Sequence, residues 1–236
     1  MTPLVIAGLV PFSSVDWPGH LTATVFCQGC PWSCTYCQNT AIIDPRTPGL
    51  VPWSEVMELL ERRHGLLDGV VFSGGEALRQ HEVVTAMSEV REAGFEAALH
   101  TAGPYPTRLE QALQHLSWVG LDIKALPEDY GGLVGADAGA KAWQSLRILL
   151  ESGLDYEVRT TVHPGSPAET RFEELAGGLA AAGVTSFALQ EARTTGTPAE
   201  FDALARRWDR PAWRDRFAQM SELAEGMFDR VQIRAA

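Results

Sequence analysis

Short runs of β-branched and apolar residues alternate with longer stretches of helical spacing through most of the chain. The strand candidates are Ala23–Phe26, Gly69–Phe72, Glu96–His100, Trp118–Lys124, Tyr156–Val162 and Ser186–Gln190. Between them, Ser54–Arg63, His81–Ala93, Pro106–Leu116, Lys141–Ser152 and Glu169–Ala182 carry the spacing of a helix with one buried face. Ser54 is the expected N-cap of the first helix. Gly94, Gly153 and Gly183 each follow a helical run, where a left-handed residue is wanted. A helical run near Asp215–Phe228 and a short strand over Arg230–Arg234 come last.

Strand–helix alternation repeated this often predicts an α/β fold with a parallel sheet and right-handed crossovers. Six such units, short of eight, predict a partial (β/α)6 barrel open on one side. No linker or low-complexity tract interrupts the 236 residues. The expectation is therefore a single domain over 1–236, with its core at about 8–193 and a C-terminal helical extension at about 194–236. In folds of this kind the chemistry gathers at the C-terminal ends of the strands.

Composition narrows the classes. A formal net charge of −11 argues against a nucleic-acid-binding surface, which needs a basic stripe. No apolar run approaches the ~18 residues of a membrane span. The segment Met1–Ala7 lacks the positive flank and long apolar stretch of a signal peptide, so a cytoplasmic protein is expected. All four cysteines, Cys27, Cys30, Cys34 and Cys37, fall within eleven residues. A disulfide framework would spread its bridges along the chain, whereas clustering points to a metal site in a reducing compartment.

Two metal readings compete. Cys27-x₂-Cys30 and Cys34-x₂-Cys37 could form a four-thiolate zinc site, but zinc knuckles separate their pairs by about 12–20 residues. Alternatively, Cys30-x₃-Cys34-x₂-Cys37 on one loop could hold three irons of a cubane and leave the fourth open to a ligand. Cys27 then reads as a small buried residue at a strand end.

Directly after the first strand candidate, Cys30-x₃-Cys34-x-Tyr36-Cys37 resembles the signature of the radical SAM superfamily. The resemblance implies that Cys30, Cys34 and Cys37 bind a [4Fe–4S] cluster. It also implies that the open iron chelates S-adenosylmethionine (SAM), and that Tyr36 lies against the adenine. After the second strand candidate, Gly74-Gly75-Glu76 resembles the segment that hydrogen-bonds the SAM amino group. Glycine lets backbone approach a ligand, and a carboxylate can accept from an amine.

Other strand ends add candidates. Thr101 and Gln190 close two strands and are cofactor-contact candidates. Asp122 and Lys124, two apart in a strand, share one face and need a ligand or an internal salt-bridge network there. Arg159 shares a face with Thr161 and suits a carboxylate in fork geometry.

Upstream, Ser13-Ser14-Val15-Asp16-Trp17-Pro18-Gly19, with Cys37-Gln38-Asn39 and Asp122-Ile123-Lys124, resembles the activating enzymes of glycyl radical enzymes. The nearest group is that of the anaerobic ribonucleoside-triphosphate reductase activating proteins. The resemblance implies one-electron cleavage of SAM to a 5′-deoxyadenosyl radical, which takes hydrogen from a glycine of a partner protein. A flavodoxin- or ferredoxin-type reductant is implied as well, with Asp122 and Lys124 at the reaction centre. Asp16 would shape the entrance for a glycine loop, or would merely form an Asx-type turn. His100 stands where these enzymes carry a carboxylate, and Gln38 where they carry a histidine. A radical SAM enzyme acting on a small molecule, similar to 7-carboxy-7-deazaguanine synthase, and a non-enzymatic metal-binding module are the alternatives.

Overall fold

The computed structural model describes residues 3–236; Met1 and Thr2, the first residues of the segment read against a signal peptide, lie outside the described residues. One eight-stranded sheet runs in chain order. Its strands are β1 (Ile6–Ser13), β2 (Thr22–Cys27), β3 (Gly69–Gly74), β4 (Glu96–Thr101), β5 (Trp118–Asp122), β6 (Asp155–Val162), β7 (Ser186–Glu191) and β8 (Arg230–Arg234). β1 pairs antiparallel with β2, and every later pair is parallel. β1 and β8 are the two edges, so the sheet is open, as expected.

The expectation of six strand units needs two additions. β8 appears where the sequence placed a short strand, and it extends the parallel sheet beyond β7. β1 was not anticipated. Gly8 and Pro11 interrupt its alternation, and the ladder to β2 has irregularities between Ile6 and Gly8 and between Val10 and Ser13. Proline has no amide to give a ladder, so such a strand belongs at an edge.

The helices are α1 (Trp53–Glu61), α2 (Glu82–Glu92), α3 (Pro106–Leu113), α4 (Tyr130–Val134), α5 (Gly139–Ser152), α6 (Pro167–Thr170), α7 (Phe172–Ala181), α8 (Ala199–Ala205) and α9 (Arg210–Met227). The expected Glu169–Ala182 helix is thus two, broken at Arg171. Ser54 lies inside the first turn of α1; Pro52 occupies the N-cap and offers no side-chain bond. Gly94, Gly153 and Gly183 do adopt positive φ, at 84°, 73° and 98°.

Period two along each strand sorts its side chains between two faces. Val25, Phe72, Leu99, Leu121, Val158 and Leu189 enter the main core with Val56, Met87, Leu109, Leu146 and Leu179 of the helices. The opposite face holds a small cluster of Trp17, Val71, Ala98 and Trp118. Further along the same strand faces come Ser73, His100 and Asp122, at the C-terminal ends. Register then places Asp122 beside Arg159, and Thr161, Gln190 and Arg234 in one row.

Candidate active site

The cysteine loop leaves β2 and is held by backbone. Gly29 N donates to Ile42 O (2.8 Å), Cys30 N to Ile43 O (3.0 Å) and Ser33 N to Val134 O (3.0 Å). The end of β3 clamps it from the other side, with Gly75 N donating to Cys27 O (3.0 Å) and Glu76 N to Gly29 O (2.9 Å). This close approach explains the glycine pair. A Cβ on Gly75 would stand 2.4 Å from the Gly29 carbonyl oxygen, and one on Gly74, whose φ is 113°, would stand 2.4 Å from Cys27 N. The glycines therefore fit β3 against the cysteine loop, in addition to bordering the cavity.

A cavity of about 370 Å³ opens at these strand ends. Cys30, Cys34, Cys37, Tyr36, Gly74, Gly75, Thr101, Asp122, Lys124, Arg159 and Gln190 all line it. Two of the residues singled out from the sequence do not: Asp16 and Glu76. Glu76 is 2% exposed, and its carboxylate accepts from Leu78 N (3.1 Å), Thr101 Oγ1 (2.8 Å) and Ala102 N (3.0 Å). Burial pushes its pKa up to about 7. It shapes the cavity wall by holding Thr101 and Ala102.

Asp16 uses its carboxylate to accept from Thr24 Oγ1 at 2.6 Å. No Asx-type turn forms; Ser13 Oγ instead accepts from Val15 N and Asp16 N, both at 3.3 Å. The tie to the cavity runs through Asp16 backbone. Its carbonyl lies 2.7 Å from His100 Nε2, and a carbonyl only accepts, so Nε2 carries the proton. His100 Nδ1, 3.3 Å from Ser73 Oγ, is then the acceptor. Burial, and then the Arg159 charge, push the His100 pKa down to about 3, so the ring is neutral.

Asp122 and its cations form the charged wall. Arg159 Nε donates to Asp122 Oδ1 at 2.8 Å, and Lys124 Nζ lies 3.5 Å from Oδ2. Burial works against the Asp122 carboxylate, but the Arg159 and Lys124 charges outweigh it and hold its pKa below the ordinary value. For Lys124, burial is likewise outweighed by Tyr36 and Asp122, and the ammonium is favoured. The expected internal salt-bridge network and the cavity-lining role thus coincide in the same side chains.

Tyr36 is buried, its Oη finds no partner among the described residues, and Lys124 Nζ sits 5.5 Å from its ring centroid. Cys27 is fully buried and does not line the cavity. Among the described residues no three His, Cys, Asp or Glu side chains converge on one ion. A cubane asks for something else, three thiolates spread over three irons. Three thiols on one loop facing a cavity with an unpartnered buried hydroxyl fit such a cluster and its ligand.

Sequence reasoning missed Arg234. Its guanidinium lines the cavity, donates to Gln190 Oε1 (2.8 Å) and pairs with buried Glu157 (2.8 Å). It lies 44 residues beyond Gln190, and only the β7–β8 register brings the two together.

The sequence model of the radical SAM superfamily matches residues 24–176, which is more than half of the chain. The chain belongs to the radical SAM superfamily. Enzymes of this superfamily use a [4Fe–4S] cluster and SAM. One relative, from Methanocaldococcus jannaschii and named for glycyl-radical enzyme activation, is 26% identical over 181 residues, covering 73% of this chain and 74% of its own. The pyruvate formate-lyase-activating enzyme of Clostridium pasteurianum is 36% identical over 120 residues, covering 49% of this chain and 50% of its own. The fold is similar to that of SuiB from Streptococcus suis bound to S-adenosylmethionine, with TM-score 0.66, 12% identity, and coverage of 89% of this chain and 48% of that one. The chain thus spans about half the length of the latter two proteins. No helix of the described residues is long and apolar enough to cross a membrane.

Proposed function

We propose that this chain is a glycyl radical enzyme activase, with Cys30, Cys34 and Cys37 holding the [4Fe–4S] cluster. The observation that carries the reading is that these three thiols, and no fourth, face one cavity with Gly74, Gly75, Asp122, Lys124 and Arg159. Bound there, cluster and SAM supply a 5′-deoxyadenosyl radical when one electron arrives from a flavodoxin- or ferredoxin-type reductant.

The chain's own residues position and enclose. Tyr36 offers a ring and an unpartnered hydroxyl beside the cysteines. Asp122 and Lys124 present opposite charges to the amino and carboxylate ends of SAM, with Arg159 fixing Asp122. Thr101 and Gln190 supply hydroxyl and amide contacts, while Glu76 and His100 hold the walls. Asp16 acts through His100 as a positioning residue. A partner such as anaerobic ribonucleotide reductase presents its glycine at the open side, where its α-hydrogen is abstracted. We take 1–236 as a single unit, with core 8–193 and extension 194–236, working in the cytoplasm.

One observation favours a small-molecule substrate instead. The cavity is lined by four cations, Lys124, Arg159, Arg193 and Arg234, against Asp122 and Glu191, which suits an anionic compound. Electron paramagnetic resonance separates the two readings. Reconstituted, reduced enzyme with SAM is expected to raise a glycyl radical signal on the partner, and Cys30→Ala, Cys34→Ala and Cys37→Ala to lose iron and signal together. Consumption of a small anionic compound without a glycyl signal overturns the activase reading.

A further inference from the structure

Glycine weakens the interior of a strand, so one found there marks a place where another group comes close. Gly120 sits in the middle of β5 and is buried. Register sets it between His100 of β4 and Glu157 of β6. Trp118 and Asp122 share its face, two residues to either side. A Cβ on Gly120 would stand 2.8 Å from Arg159 Nη1, 2.9 Å from Arg159 Cζ and 2.8 Å from Trp118 Cη2. The guanidinium of Arg159 thus fills the space that a side chain at position 120 would need.

That recess bears on which carboxylate Arg159 takes. Two stand beside it in the ladder: Asp122, its register partner on β5, and Glu157, two residues earlier on the same face of β6. Arg159 lies across β5, where Nε donates to Asp122 Oδ1 (2.8 Å) and Nη2 to the Gly120 carbonyl (3.3 Å). Glu157 is left to Arg234, which reaches it from β8 at 2.8 Å. His100, on the other side of Gly120, is a neutral ring and offers no competing charge. Two arginines and two carboxylates therefore form two separate pairs.

We propose that Gly120 is a positioning residue of the active site, whose missing side chain seats Arg159 against Asp122 and so fixes the charged wall that receives SAM. The inference rests on the SAM site proposed above. A Cβ at this position pushes the guanidinium off the Gly120 carbonyl and away from β5. Asp122 then keeps Lys124 alone, at 3.5 Å, and the wall presents a different pattern of charge to the cavity.

The test is a double-mutant cycle on SAM affinity, measured by calorimetry on anaerobically reconstituted protein of known iron content. Gly120→Ala is expected to load iron as the wild type does and to bind SAM about tenfold more weakly. Arg159→Lys keeps a cation for Asp122 but removes the planar group that lies over Gly120. In that background, adding Gly120→Ala is expected to change the affinity by less than about twofold. Trp118 meets the same alanine in both backgrounds and does not line the cavity, so a collision with Trp118 alone predicts equal losses. Equal losses in the two backgrounds overturn the proposal, as does wild-type SAM affinity in Gly120→Ala. Should circular dichroism show that Gly120→Ala does not fold, the double variant is expected to fold and load iron, and its failure to do so also overturns the proposal. Wild-type protein that takes up no iron, or that binds no SAM once loaded, overturns the site reading itself, and the proposal with it.

Discussion

His100 Nε2 donates to the Asp16 carbonyl across 2.7 Å, joining the turn before β2 to the cavity end of β4. The neutral imidazole has both nitrogens engaged, the second with Ser73. His100→Ala is expected to cost about 1–3 kcal/mol, because a buried acceptor loses its donor. Asp16→Asn, which perturbs only the bond from Thr24, is expected to cost about 0.5–1.5 kcal/mol. Urea denaturation checks both. Wild-type stability in Asp16→Asn together with a lower glycyl radical yield returns Asp16 to the entrance of the site.

Gly75 makes a sharper case for the cysteine loop. Its replacement by alanine sets a Cβ against the Gly29 carbonyl at 2.4 Å, and backbone has to move. Gly75→Ala is expected to lower iron bound per chain after reconstitution while the secondary structure measured by circular dichroism stays intact. Full iron loading would show that the loop tolerates the shift.

Glu76 gives the chain a pH dependence. Its carboxyl, buried among three donors, has its pKa raised from 4.5 to about 7. Between these values the native group keeps its proton and the unfolded one has lost it, so stability falls as pH rises. The contribution is complete below about pH 4.5, declines to about pH 7 and is flat above, a total of roughly 3 kcal/mol. Glu76→Gln is expected to remove that decline from denaturation midpoints measured across the window. The amide nitrogen would also oppose one backbone N–H and lower stability by about 1–3 kcal/mol at every pH.

Arg159 and Asp122 test whether the charged wall acts as a unit. Arg159→Met leaves Asp122 with Lys124 alone at 3.5 Å, and a loss of about 3–5 kcal/mol is expected. SAM affinity, read by calorimetry, is expected to fall with it. Adding Asp122→Asn is expected to recover part of the stability, with a coupling energy above about 1 kcal/mol. Additive losses would mean that the two side chains act independently.

The sequence alone determined what depends on local pattern. Strand and helix periodicity predicted the parallel order from β2 to β7, because alternation of that kind has few ways to bury its apolar faces. The spacing of Cys30, Cys34 and Cys37 on one loop needed no distant residue to be read. Tertiary structure decided what depends on register and depth. Arg234 reaches Gln190 and Glu157 only through pairing of β7 with β8, which no local spacing encodes. Glu76 follows a glycine pair in sequence as a ligand-binding carboxylate would. Yet the 3₁₀ turn at Ala77–Arg79 and the neighbouring β4 surround it with donors, so its carboxyl group serves the wall. Asp16 likewise points to Thr24 because β1 folds back antiparallel on β2, and β1, with glycine and proline breaking its alternation, left little pattern to read.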